Sequence, residues 1–127
     1  MTQEEHVQYW LDTAAQDWDG SQVLMANALQ PAVVLAHWTL EKLSKALWVQ
    51  QHPDAMPPVT NDVALLLAAT SFVIDKEQTT FAQNLKAFHD DVLEPDPRHP
   101  VPIPDLIIIS TQAGAMREQL LQAIRGC

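Results

Sequence analysis

From Ala32 to Gln51 this chain is apolar at nearly every position: Ala32, Val33, Val34, Leu35, Ala36, Trp38, Leu40, Leu43, Ala46, Leu47, Trp48 and Val49. The run does not alternate in the manner of a half-buried strand, and it is long enough for several helical turns. A helix apolar on most sides cannot lie on a surface, so it belongs at the centre of a bundle or beneath a partner. Pro31 suits its first turn, where a missing N–H costs nothing. His52-Pro53-Asp54-Ala55-Met56-Pro57-Pro58 closes it, because residues before proline are biased out of the α region.

The neighbouring segments have the amphipathic character needed to surround such a rod. The spacing predicts a first helix over about Glu4 to Leu29. Val7, Leu11, Ala14, Trp18, Ser21, Met25 and Ala28 form one stripe, widened by Trp10 and Leu24. Gly20 is its weak point, where a kink or break is expected. Thr60-Asn61-Asp62 offers N-cap chemistry for a short helix from Val63 to about Thr70. Asp75 with Gln78 three residues on reads as a capping box, and Phe81, Leu85, Phe88 and Val92 give the next helix its apolar stripe. Five prolines between Glu94 and Pro104 rule out a helix there. A last helix is expected from near Pro104 to about Arg125, with Leu106, Ile109, Ala113, Met116, Leu120 and Ile124 inward, joined by Ile107 and Leu121. The expected fold is therefore all-α: one domain over residues 1–127, an up-and-down bundle of four long helices plus one short helix.

Composition narrows the function classes. Hydrophobic residues make up 47% of the chain, enough for a core without disulfides or metal. Sixteen acidic residues against seven basic ones give a formal charge of −9. That balance repels phosphate backbones and anionic lipid at long range, so nucleic-acid binding by the isolated domain is disfavoured. The single cysteine, Cys127, has no partner within the chain. No apolar run reaches the roughly 20 residues of a membrane span, and Met1-Thr2-Gln3-Glu4-Glu5 is too acidic for a signal peptide. The expectation is a soluble cytoplasmic protein without a membrane partner.

The residues offer few routes to chemistry. A di-iron bundle needs Glu-x-x-His pairs, which do not occur, and one cysteine builds no structural zinc site. His37 and Glu41 stand at i, i+4 and would supply two ligands, but a lone pair is more simply a hydrogen-bonded pair; no metal site is assigned. Clustered glycines for a phosphate loop or dinucleotide fold do not occur either, and no cofactor is assigned. Two sets of polar residues remain. His37, Glu41 and Lys45 share one face of the apolar helix. The plainer reading is a solvated face carrying a Glu-to-Lys i, i+4 pair. The sharper reading places these groups in a groove or seam, partly buried and in need of partners. Arg98-His99 in the proline-rich loop is the second set; as a surface turn, its Arg is expected to cap helix carboxyl ends.

Taken together, several segments resemble the HEPN family. Trp10, Ala14 and Asp17-Trp18 match the family's tryptophan and A-x-x-D step on the first helix. His37 and then Glu41-Lys42-Leu43-Ser44-Lys45-Ala46-Leu47 match its H-x-x-x-E-K-x-x-K-A-L second helix. Pro57 to Val63 resembles the P-x-T-H-D-L segment that leads into the third helix, and Arg98-His99-Pro100 stands where R-Y-P is common. The resemblance implies a helical bundle, usually a homodimer and often paired with a minimal nucleotidyltransferase in toxin–antitoxin or related two-component systems. Catalytic members are metal-independent ribonucleases that use an Arg followed by a His after four to six intervening residues.

This chain departs from that catalytic pattern. Arg98 is adjacent to His99, and the positions after four to six intervening residues are Ile103, Pro104 and Asp105, none an imidazole. Asn61 stands where the family has His, and His99 where it has Tyr. No catalytic residue is carried over. The leading expectation is a non-catalytic module that dimerises and binds a nucleotidyltransferase or a nucleotide-like ligand, with His37, Glu41, Lys45, Asp62, Arg98 and His99 as candidate contact residues. The rivals are a ribonuclease toxin with a diverged site at Arg98 and His99, and a purely structural helper.

Overall fold

The computed structural model describes residues 1–102 and 105–126, with Leu106 described by its backbone alone. Five helices follow in order: α1 (Gln3–Leu24), α2 (Leu29–Gln51), α3 (Val63–Ala68), α4 (Lys76–Leu93) and α5 (Leu106–Arg125). Among the described residues there is no strand. The all-α bundle expected from periodicity is the fold.

Local chemistry sets the helix starts. The Thr2 hydroxyl accepts from the Glu5 amide while the Glu5 carboxylate reaches back, a capping box. Asp75 and Gln78 form the same device at α4. Asp62 caps α3 and Asp105 caps α5, each through its side-chain oxygen. Only α2 begins without a side-chain cap, at Ala28. That explains one correction: α1 ends at Leu24 rather than Leu29. The chain turns through residues 25–28, with the Asn27 and Ala28 amides bonded to the Leu24 carbonyl, and Leu29 already belongs to α2. Pro31 lies in the first turn of α2 as expected.

The helices run up and down. Gln3 at the start of α1 donates to the Val49 and Gln50 carbonyls at the end of α2, so these two are antiparallel. Gln50 in turn donates to the Ile124 carbonyl, placing the ends of α2 and α5 together. Gln78 near the start of α4 donates to Gln119 in the second half of α5, so those two are antiparallel. Helix α2 packs on every other helix, whereas α4 and α5 meet little beyond their common support. Its Val33, Ala36, Leu40, Leu43, Ala46 and Leu47 are all buried, as the apolar run requires.

Helix α1 passes through Gly20 without interruption. A Cβ there would stand 3.1 Å from Leu35 Cδ1, so the glycine lets α1 approach α2 closely instead of breaking the helix. One residue on, buried Ser21 donates through Oγ to the Ala32 carbonyl at 2.7 Å. Gly114 in α5 differs. A Cβ at that position meets the Trp18 ring at 3.7 Å, an ordinary contact. Gly114→Ala should therefore stabilise the protein by about 0.5–1 kcal/mol through helix propensity and a less flexible unfolded chain. Thermal melting checks this, and a lower Tm would show that the Trp18 contact is already full.

In α5, Ile109, Ala113, Met116, Leu120, Leu121 and Ile124 are buried as expected, but Ile107 is 76% exposed. It lies on the outward side of the first turn, away from α2. Pro104, near which the helix was expected to start, and Cys127 lie outside the described residues.

Candidate functional site

The stripe His37, Glu41 and Lys45 does not form a solvated face. His37 is 0% exposed, and the Glu41 and Lys45 side chains keep only 14% and 12% of their surface. Lys45 Nζ lies 2.8 Å from Glu41 Oε2 and 5.2 Å from the centre of the Trp10 ring on α1. One turn away, Lys42 pairs with Asp17 of α1 at 2.6 Å and also stands over the Trp38 ring. Helix α1 lies across this side of α2, so charges that periodicity alone would leave in water are sandwiched against tryptophans.

His37 points the other way, into a cluster built by α4 and the turn before α3. Its ring centre lies 4.5 Å from that of His89, itself buried. The Trp38 indole N–H donates to His89 Nε2 at 2.8 Å. Indole can only donate, so His89 Nε2 is the acceptor and the ring proton sits on Nδ1. That N–H meets Asp90 Oδ1 at 2.9 Å. Asp90 also accepts from Asn61 Nδ2 at 3.0 Å and from Lys86 Nζ at 2.7 Å. Burial alone would raise the Asp90 pKa, but the hydrogen bonds from Lys86, His89 and Asn61 outweigh it and hold the carboxyl near 2.

Neither ring nitrogen of His37 has a hydrogen-bond partner among the described residues. The Asn61 backbone favours its protonated form, without reaching hydrogen-bond geometry. Burial and the neighbouring His89 lower its pKa to about 4, with Asp90 opposing and Lys86 adding to the fall. His37 is therefore a neutral imidazole at pH 7.

The cluster holds helices together, and its unpaired imidazole, His37, is fully buried. The His89 lone pair is occupied by Trp38, and its tautomer is set by Asp90. A substrate would have to displace the indole to use it.

The remaining candidates are scattered. Asp62 accepts from the Leu65 amide and serves as the α3 cap. Arg98 and His99 sit far out on the proline-rich loop, 82% and 80% exposed, and both bind Asp96, at 3.1 and 3.2 Å. Arg98 thus pairs with a carboxylate two residues away instead of capping a helix end. Its side-chain and backbone bonds, with the His99 contact, lower the Asp96 pKa. Sequence reading brought together His37, Glu41 and Lys45 but missed Trp38, Asn61, Lys86, His89 and Asp90. One signal was available: His89 follows Leu85 by four residues, which puts it on the inward stripe of α4.

An apolar groove lies apart from this cluster. It measures about 1000 Å³ and opens between α4 and α5, walled by Phe81, Leu85, Val101, Ile108 and Ile109. Lys76, Glu77 and Asp105 stand at its edge. Among the described residues no group of three or more His, Cys, Asp or Glu is arranged to hold a metal ion. No helix among them is long and apolar enough to cross a membrane.

Comparison with known proteins places no relative beside this chain: no family model, no curated protein and no solved structure matches it.

Proposed function

We propose that this chain is a HEPN-like, non-catalytic binding module that dimerises and engages a minimal nucleotidyltransferase in a two-component system of the toxin–antitoxin kind. The observation that carries the binding role is the apolar groove between α4 and α5. A cleft with apolar walls and a few polar groups at its edge is the usual form of a binding site. Its shape, bounded by two helices on a common support, suits the apolar face of a partner's helix. With Glu77 and Asp105 at the edge and a chain charge of −9, basic residues flanking that face would be favoured.

A protein partner is favoured over a nucleotide-like ligand by the state of the cations. Lys42, Lys45 and Lys86 are each held by a carboxylate, and Arg98 is held by Asp96. A phosphate would have to break those pairs, and at the groove itself Lys76 is the single lining cation, set against Glu77 and Asp105.

Co-expression with a minimal nucleotidyltransferase should give a complex that co-elutes, and Ile108→Glu should abolish it while leaving the fold intact, since Ile108 is half-exposed. Light scattering of the chain alone at tens of micromolar should report a dimer. A monomer that forms no complex would overturn the reading. The ribonuclease rival rests on Arg98 and His99 sharing one carboxylate on an exposed loop. Metal-free RNA cleavage that disappears in His99→Ala would make it the better account.

A further inference from the structure

We infer that the His37–His89 pair, with Asp90 as its single facing carboxylate, is an acid-operated latch that fastens α4 and the Asn61 turn to α2. This goes beyond the binding role above and does not depend on it.

The geometry of the closed latch requires both rings to be neutral. His89 has one arrangement that satisfies it, accepting from Trp38 and donating to Asp90. A second proton on His89 would set two donors against each other and expel the indole. A second ring proton on His37 would find only the Asn61 backbone, which does not reach hydrogen-bond geometry. A proton on either ring places a cation within a ring-contact distance of its neighbour, both rings being buried.

The charged groups facing the pair are few. From α4 they are Asp90 and Lys86; from the turn before α3 the backbone of Asn61 faces His37; on α2 the next charged groups along are Glu41, which pairs with Lys45, and Lys42, which pairs with Asp17 of α1. Asp90 and the Asn61 backbone are the groups of these that favour a proton on His37, and Lys86 already occupies one Asp90 oxygen. One added positive charge meets a partly committed carboxylate. Two exceed what it can balance.

The elements joined at the cluster are therefore the ones that separate. Trp38 and His37 stay with α2, which α1 clasps on its other side, while His89, Asp90 and Lys86 leave with α4, and Asn61 follows through its bond to Asp90. The state reached in acid is a bundle in which α1 and α2 remain paired and the segment from 61 to 93 swings or frays. Since α4 forms one wall of the α4–α5 groove, the latch also sets the width of that groove.

Hydrogen exchange followed by NMR between pH 7 and pH 4, corrected for intrinsic exchange rates, tests this. The expected result is loss of protection for the Trp38 indole N–H and for amides within 61–93 as the pH falls below about 6, with α1 and the middle of α2 still protected. His37→Gln, which cannot titrate, should move that loss to lower pH by about one unit or more. If His37→Gln folds poorly, His37→Phe serves the same comparison. Overturning results are uniform loss of protection across all helices, no loss down to pH 4, or an unchanged profile in both variants.

Discussion

Leu40→Ala should lower the free energy of unfolding by about 3–4 kcal/mol, the cost of removing a fully buried leucine whose cavity cannot collapse. Leu40 is 0% exposed in the middle of the helix that every other helix packs on. Its surroundings are held from several sides, so inward relaxation at one wall opens a gap at another. A domain of this length has a total stability of about 6–19 kcal/mol. The substitution thus removes a large share of it, and Tm should drop by roughly 10–20 °C. Ile107→Ala, at a side chain that is 76% exposed, should cost less than about 0.5 kcal/mol. Urea titrations of the two variants side by side check the contrast. Equal costs would mean that α2 is not the structural centre.

The second large effect is on acid stability. His37 takes its proton near pH 6.5 in the unfolded chain but only near pH 4 in the fold. Between those values the unfolded state binds more protons, so stability is full above about 6.5 and falls as the pH drops towards 4. The span corresponds to roughly 3 kcal/mol. Asp90 adds a later loss of the same sign: its folded pKa near 2 lies below the unfolded 3.8, so its contribution fades as the pH falls from about 4 to 2. Its half-exposed side chain makes that second loss the smaller one. Urea midpoints measured from pH 7.5 to 3 should show the decline begin with the first window. A flat profile down to pH 4.5 would place His37 in water.

The periodic features were the legible ones. Asp75 with Gln78 announced the α4 start by residue type alone, and the inward stripes of α4 and α5 followed from spacing. The end of α1 was not legible, because the turn at residues 25–28 carries no proline or glycine, and Ala28 offers no capping side chain. Gly20 shows a related ambiguity. Composition records a weak helix former, but only the position of Leu35 reveals that the missing Cβ serves close packing. For His37, spacing grouped it with Glu41 and Lys45, whereas its burial depends on α4 and the Asn61 turn arriving from far along the chain. The Trp38–His89–Asp90–Asn61 connections span up to 51 residues, so no local pattern records them. The α4–α5 groove is likewise a property of two helices that share a support without closing on each other.

That shared support has a consequence for biogenesis. As the polypeptide leaves the ribosome, the α1–α2 hairpin, whose contacts are close in sequence, can form before α4 and α5 have been translated. The side of α2 that α5 covers stays bare until the 20 residues of α5 emerge, and a chain lacking them would carry a sticky apolar strip in place of the contact with the Ile109–Ile124 face. Chains in which α5 has not yet emerged should recruit holdases, and release should follow once α5 docks.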